Sequence, residues 1–431
     1  MSKSKINIIT LGCSKNLVDS EMLLKQLELN DYEVVHDSVD DDANIVILNT
    51  CGFIADAKEE SINTILNFVD ARKAGEIDKL LVMGCLSGRY KEEMEAEMPE
   101  VDKFYGKFDF KAILNDLNAE FYDEKFYHRI KTTPAHFAYL KISEGCNRRC
   151  SFCAIPQFTG KHTSRTMESL LAEAERLAES GVKELLVIAQ DLSYYGIDLY
   201  GESKLAELVE KLSDIKGIEW IRLHYTHPSR FPMDLLRVMR EKKNVAKYLD
   251  IPLQHATTDM LKTMHRGITR EETIELLETI RREVPGVVLR TTYLVGHPGE
   301  TESDYQELKR FIQEYPMERM GVFAYSEEDD TYAAKHYEDT IPQETKEARA
   351  EELMEIQQEI SAKFNYSLIG KKLRVLVDSE DEEFFIARTE YDSPEVDCEV
   401  FLEKDDAIQV GEFYEVEIYD AIDFDLFAEL V

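Results

Sequence analysis

Cys146, Cys150 and Cys153 stand in the run SEGCNRRCSFC, directly after a short apolar strand, and their Cys-x3-Cys-x2-Cys spacing limits what the surrounding chain can be. Such a loop gathers three thiolates, one fewer than a 4Fe–4S cluster can take. One iron is then left without a protein ligand, and an open iron does chemistry rather than only carrying electrons. A zinc site of three cysteines with His162 as fourth ligand is the alternative.

The 431 residues suffice for two or three domains, each with its own core. A composition 44% hydrophobic and 32% charged is that of a soluble protein. The opening MSKSKINIITLGC holds an apolar run of strand length, too short for a signal peptide. No apolar stretch reaches the roughly 18 residues of a membrane span. The expected location is the cytoplasm, where seven cysteines read as ligands or core residues rather than disulfides. The formal net charge of −35 argues against strong direct binding to nucleic acid and favours a basic partner, with a merely solubilising acidic surface as the alternative.

Up to about residue 120, strands alternate with helices. INIITLGC is followed by a helix over 20–29, ANIVILNTC by one over 54–73, and KLLVMGC by one over 89–97. This βαβαβ pattern predicts a doubly wound parallel sheet. Cys13, Cys51 and Cys85 each come immediately after one of these strands. The carboxyl ends of parallel strands share one edge, where ligands bind, so residues far apart in sequence are brought together. Three small core residues would give another reading, but three cysteines on one edge point to a second three-thiolate cluster with an open iron.

Residues 121–135 (FYDEKFYHRIKTTPA) interrupt the pattern and read as a linker. Strand candidates then follow at 138–143, 184–190, 219–225, 247–252, 287–295 and 319–325. The helices between them include 167–180, stopped by Gly181. Six βα units over 136–366 predict an open, partial TIM-like (βα)6 barrel whose chemistry lies on the loops after the strands, where the Cys146–Cys153 loop falls. A charged helix over 343–366 leads to 367–431, where period-2 strands (LRVLV, EFFIART, VDCEVFL, YEVEIYDAIDFDLFAEL) predict a small antiparallel β-barrel of about five strands. Cys398, in phase with Val396, Val400 and Leu402, reads as a core residue. This last segment holds 20 acidic and 5 basic residues, a concentration suited to docking a basic protein.

Taken together, GCSKNLVDSE, NTCGFIADAKEES, GCLSGRY and YLKISEGCNRRCSFCAIP resemble the methylthiotransferase family of radical S-adenosylmethionine (SAM) enzymes, over essentially the whole chain. They resemble the RimO branch, which modifies a ribosomal protein, more than the tRNA-modifying branch. The resemblance implies an auxiliary-cluster domain over 1–120, a radical SAM domain over 136–366 and a TRAM barrel over 367–431. It implies two 4Fe–4S clusters and SAM as cofactors, with Cys13, Cys51, Cys85, Cys146, Cys150 and Cys153 as ligands. The implied reaction is methylthiolation of the β-carbon of an aspartate on the twelfth small-subunit (30S) ribosomal protein, a basic partner met free or within the ribosome. Thr159, Ser14 and His297 depart from residues common in the family, and none of them is a cysteine.

Replacing an unactivated C–H bond by C–S–CH3 is beyond any side-chain base. An electron from the cluster at Cys146, Cys150 and Cys153 would cleave SAM to methionine and a 5′-deoxyadenosyl radical that abstracts the hydrogen. The cluster at Cys13, Cys51 and Cys85 would hold the sulfur, and a second SAM would supply the methyl group. A low-potential electron donor and a sulfur donor are thereby implied as partners. No side chain beyond the cluster ligands is required as a catalyst. Candidate SAM contacts are Gln190, Asp191 and Gln254 for the methionyl part. Arg290, Thr292, Gly296, Pro298 and Gly299 are candidates for the ribose and adenine. For each of these, turn or core duty is the alternative. Both clusters are expected to share one cavity, the first domain's cysteine edge facing the barrel's carboxyl mouth. Rival readings are a tRNA methylthiotransferase of the same family and a non-catalytic iron–sulfur carrier or scaffold.

Overall fold

The computed structural model of the chain describes residues 4–39, 42–52 and 54–431; Phe53 of the NTCGF run lies outside them. It divides into two compact units. The first takes the chain to Thr133 together with Glu144–Arg148 and Ala154–Thr163; the second holds Pro134–Ser143, Arg149–Cys153 and Ser164–Val431.

In the first unit the order is β1 (Lys5–Thr10), α1 (Ser14–Glu28), β2 (Glu33–His36), β3 (Ile45–Thr50), α2 (Ala55–Ala74), β4 (Lys79–Gly84), α3 (Cys85–Arg89), α4 (Lys91–Glu97), β5 (Lys103–Phe104) and α5 (Phe110–Asp116). All neighbouring strands pair in parallel, in the order β2-β1-β3-β4-β5. Every residue of β3 (IVILNT) is buried, as a central parallel strand covered on both faces must be. The expected helix 20–29 in fact begins at Ser14, because Cys13, in extended conformation, serves as its N-cap. The expected helix 89–97 breaks at Tyr90 into α3 and α4. Of residues 121–135, read as a linker, the stretch to Thr133 belongs to the first unit and is tied to α1. Gln26 exchanges hydrogen bonds with the Tyr122 backbone, and buried Glu21 pairs with Arg129 at 2.5 Å.

The second unit starts with β6 (Phe137–Lys141). A two-stranded ribbon, β7 (Ser143–Glu144) and β8 (Thr163–Ser164), brackets the cysteine loop and α6 (Ile155–Thr159), of which α6 is counted with the first unit. Beyond it run α7 (Met167–Glu179), β9 (Glu184–Ile188), α8 (Ile197–Tyr200), α9 (Leu205–Ser213), β10 (Trp220–His224), α10 (Asp234–Glu241), β11 (Val245–Asp250), α11 (Thr258–Thr263), α12 (Arg270–Glu283), β12 (Val288–Val295), α13 (Glu302–Glu314), β13 (Arg319–Ala324), α14 (Tyr332–His336) and α15 (Gln343–Tyr366). The six strands form an open parallel sheet in the order β13-β12-β11-β10-β9-β6, the expected partial barrel. The helices start where the sequence signals it: Thr166 caps α7, and Thr269 with Glu272 and Thr301 with Asp304 form capping boxes on α12 and α13.

The chain ends in a closed five-stranded barrel of β14 (Lys372–Glu380), β15 (Phe384–Thr389), β16 (Val400–Glu403), β17 (Phe413–Ala421) and β18 (Leu426–Leu430). It is not purely antiparallel, since β18 returns beside β16 in parallel register. Cys398 is buried as expected, but it precedes β16 rather than lying within it, so strand alternation does not apply and Val396 is 57% exposed. This barrel packs on the amino-terminal ends of the six-stranded sheet through buried ion pairs. Glu184 at the start of β9 lies 2.9 Å from Arg222 and 2.5 Å from Arg388 of β15. Arg222 also donates to the carbonyls of Thr389 and Glu390, and Arg319 pairs with Asp392 at 2.8 Å. Burial pushes the Glu184 carboxyl up, but Arg388 and then Arg222 outweigh it and hold it at about 2.

Candidate active site

Strand topology collects the first three thiols. The strand order reverses between β1 and β3, the switch point at which open parallel sheets take ligands. Cys13 follows β1, Cys51 follows β3, and Cys85 opens α3 directly after β4. Gly12 has φ +86, and a Cβ there would lie 2.5 Å from the Cys51 Cβ and 2.7 Å from its Sγ, so only glycine lets the end of β1 approach so closely. Asn16, in the first turn of α1, ties all three strand ends. Its Nδ2 donates to the carbonyls of Leu11 (3.1 Å) and Thr50 (3.2 Å), and the Cys85 thiol donates to its Oδ1 (3.6 Å). Ser61 of α2 grips the Cys51 backbone from both sides, accepting its N–H and donating to its carbonyl.

Burial pushes the Cys85 thiol up to about 12, against the pull of Lys107 and with the help of Cys13 and Cys51. Desolvation acts the same way on Cys13, which is nonetheless accessible to solvent. There Lys15, then Lys107, and the backbone N–H groups of Asn16 and Lys15 outweigh it and hold the thiol below its usual value. Lys107 is a buried cation, 3.1 Å from Glu144 and 3.7 Å from Asp19. Burial works to strip its proton; Glu144 and Asp19 outweigh burial and keep the charge.

A single loop, by contrast, carries the second three, all half-buried. Gly145, at φ +74, passes so close to the Lys161 carbonyl that a Cβ would sit 2.2 Å from its oxygen. The Cys146 N–H donates to Gly160 O at 3.2 Å, the Arg148 N–H to Cys146 Sγ at 3.4 Å, and the Cys153 N–H to Cys150 O at 3.2 Å. Distant segments hold the middle of the loop. The Ser151 N–H donates to Met264 O at 3.0 Å, and the Ser151 hydroxyl lies 3.0 Å from His297 Nε2. Burial pushes the His297 ring down to about 4. Arg149 of the NRRC run is exposed, and Arg266 brings a guanidinium to the loop, with Nη1 3.1 Å from Cys150 Sγ.

The structure brings some of the expected SAM contacts together at the carboxyl ends of the sheet. Half-buried Gln190 and buried Asp191 follow β9. Asp191 Oδ1 caps its own loop through the Ser193 N–H and hydroxyl and the His227 N–H. Tyr225, beyond β10 at φ +69, shares the electrostatic field of Arg266, Cys150, Cys153 and Asp191, and burial raises its phenol. Gln254 adopts φ +73, its N–H donating to Thr292 O and its carbonyl accepting from Leu294, both at 2.8 Å. A non-glycine residue held in this conformation is strained, as residues at functional sites often are. Gly296, Pro298 and Gly299 form the turn after β12, the Gly296 N–H donating to Glu300. Arg290 does not join them. It lies level with the first residue of β13 on one side and with Asp250, the last residue of β11, on the other, and pairs with Asp397 of the C-terminal barrel at 3.3 Å and Asp250 at 3.5 Å.

Sequence reasoning missed Asn16, Ser61, Lys107, Tyr225 and Arg266. Asn16 had a signal, three residues beyond Cys13 on the same helix face; the others are joined to the cysteines only by the fold. Among the described residues no three His, Cys, Asp or Glu are placed to hold a single metal ion. Buried His162 is bound through its backbone N–H to Asn147. The donor set does fit two clusters of the iron–sulfur kind: soft thiols in threes, with N–H donors and a guanidinium on the loop sulfurs and a buried ammonium beside the other three.

Family comparisons agree with this geometry. Residues 140–312 match the model of the radical SAM superfamily, residues 5–106 that of uncharacterized protein family UPF0004, and residues 369–431 that of the TRAM domain. Among solved structures, the radical SAM methyltransferase TsrM from Kitasatospora setae superposes with a TM-score of 0.56 over 77% of each chain at 14% identity. The cobalamin-dependent SAM radical enzyme OxsB gives 0.53 over 83% of this chain and 56% of that one, also at 14%. These likenesses establish the fold. An open six-stranded parallel sheet with the three-cysteine loop after its first strand defines a radical SAM enzyme. Two curated relatives carry the description ribosomal protein uS12 methylthiotransferase RimO. That of Bacteroides thetaiotaomicron is 55% identical, covering 100% of this chain and 99% of that one, and that of Porphyromonas gingivalis is 53% identical over 100% of both. The chain belongs to the RimO family of radical SAM methylthiotransferases.

Proposed function

We propose that the protein methylthiolates ribosomal protein uS12, at the β-carbon of an aspartate, in the cytoplasm. The observation that carries this reading is the pairing of two three-cysteine sets, each at the carboxyl ends of a parallel sheet, with one set gathered at a switch point and the other on the loop after the first barrel strand. Cys146, Cys150 and Cys153 would hold one 4Fe–4S cluster and Cys13, Cys51 and Cys85 the other. Bound there, the first supplies the electron that opens the SAM sulfonium and the second holds the sulfur to be transferred.

The chain's own residues bind, orient and neutralise. Asn16 and Ser61 fix the strand ends that present the first three thiolates, and Lys107 offsets their charge. Gln190, Asp191, Gln254, Gly296, Pro298 and Gly299 on the carboxyl-end loops, with Thr292 of β12, would hold SAM. Arg290, committed to Asp397, serves instead to dock the C-terminal barrel. A low-potential electron donor and a sulfur donor complete the system. Exposed Glu382, Glu383, Asp405 and Asp406 of the C-terminal barrel draw in the basic substrate, free or on the ribosome.

Anaerobically reconstituted protein, given SAM, a strong reductant and sulfide, is expected to form 5′-deoxyadenosine and to add one methylthio group to uS12, read by peptide mass spectrometry. Methylthiolation of tRNA instead of uS12 would refute the substrate, and reconstituted protein that makes no 5′-deoxyadenosine would refute the enzyme.

A further inference from the structure

Three consecutive residues, Met264, His265 and Arg266, meet three consecutive residues of the cysteine loop. The Arg149 carbonyl faces His265 Nδ1 at 3.2 Å, Arg266 Nη1 lies 3.1 Å from Cys150 Sγ, and the Ser151 N–H donates to Met264 O at 3.0 Å. The tripeptide follows α11 with His265 at φ +56, a left-handed turn that a non-glycine residue adopts only when its surroundings enforce it. Arg266 is 1% exposed and makes a second bond, Nη2 to Pro252 O at 2.6 Å. Pro252 lies two residues before Gln254, itself left-handed at φ +73. One guanidinium therefore joins the cysteine loop to the loop after β11.

A fully buried arginine is costly unless anions and acceptors surround it. The acceptors that the fold supplies include Cys150 Sγ and Pro252 O. No carboxylate forms a salt bridge with Arg266 among the described residues, and one of its side-chain partners is the Cys150 sulfur.

We infer that the Met264–Arg266 turn is a clasp for the cysteine loop, in which Arg266 is a positioning residue that holds Cys150 and offsets the negative charge of the cluster bound there. The inference rests on the cluster assignment proposed above. A hydrogen bond to a ligand sulfur and a nearby positive charge both stabilise the reduced, more negative cluster and so raise its reduction potential. The turn thereby sets how readily the site accepts the electron on which the reaction depends, without touching SAM.

The test uses the full-length chain in two forms. In cluster-free protein, hydrogen exchange of residues 146–153 is compared among wild type, Arg266→Gln and Arg266→Lys. In reconstituted protein with Cys13, Cys51 and Cys85 changed to Ala, so that one cluster reports, its midpoint potential is measured by an EPR-monitored redox titration. Arg266→Gln is expected to speed exchange of the loop several-fold and to move the potential to a more negative value at unchanged iron content. Arg266→Lys, which keeps the charge but cannot make both bonds, should speed exchange while leaving the potential near wild type. Unchanged exchange and potential in Arg266→Gln would overturn the clasp. An exchange difference between wild type and Arg266→Gln, found together with protein that takes up no reducible cluster, would overturn the cluster assignment, and the charge-balancing role with it, while leaving the mechanical clasp standing.

Discussion

The two ends of the six-stranded sheet solve opposite problems with the same kinds of residue. At the amino ends, Glu184, Arg222, Arg319 and Arg388 are buried and matched charge for charge against the C-terminal barrel. At the carboxyl ends, backbones at Tyr225, Gln254 and His265 are held left-handed around half-buried thiols. One end has its electrostatics satisfied within the chain; the other keeps strain and reactive sulfur in hand for a cofactor. The division matches the general rule that the carboxyl face of such barrels carries chemistry and the amino face stability.

Substitutions at the two ends should therefore fail differently. The largest effect expected is from Cys150→Ala, which should reduce 5′-deoxyadenosine formation to background while leaving the melting temperature of the cluster-free chain within about 2 °C, measured by calorimetry. Arg388→Met should do the reverse. Stripping Asp378 of its guanidinium and Glu184 of one of its two should cost about 3–5 kcal/mol in urea unfolding, yet SAM cleavage per folded molecule should persist.

A pH series sharpens the contrast. With its pKa held at about 2, Glu184 contributes stability that is complete above its unfolded value near 4.5 and is lost as the pH falls from there toward 2. The loss amounts to roughly 3 kcal/mol, and it should vanish from the same titration in a Glu184→Gln chain. The smallest effect concerns the exposed acids. Changing Asp405 and Asp406 to Asn should alter stability by no more than about 0.5 kcal/mol. It should weaken uS12 binding a few-fold at low salt and hardly at all at high salt, as surface charges do.

How far the sequence revealed this molecule depended on the range of the contacts involved. Strands buried on both faces, such as β3 and β9, are continuous apolar runs, and the cysteines after β1, β3 and β4 could be placed on one edge from strand polarity alone. Short elements escaped: β2 has four residues and β5 two, too few for a period to show. The parallel return of β18 beside β16 depends on how a barrel closes, and no local pattern encodes that. Arg290 was placed on its strand from the sequence, but its partners, Asp250 and Asp397, come from strand register and from the C-terminal barrel, which no local pattern encodes. Arg266 lies 116 residues from the sulfur it touches, a separation that no local pattern spans.

The acidic C-terminal segment teaches a related lesson. Asp378, Asp392 and Asp397 belong to its charge surplus by composition, yet His136, Arg388, Arg319 and Arg290 claim them inside the molecule. Only the remainder is available to a basic partner.

Because Glu184 divides its two oxygens between an arginine of its own sheet and one from the C-terminal barrel, the two modules are interlocked like a key cut for one lock. A chimera that imported a TRAM barrel from a tRNA-modifying relative would have to bring an equivalent of Arg388 and Asp378 with it. Otherwise the graft would strand a carboxylate at the seam, and any change in substrate preference would be masked by a molecule that no longer holds together.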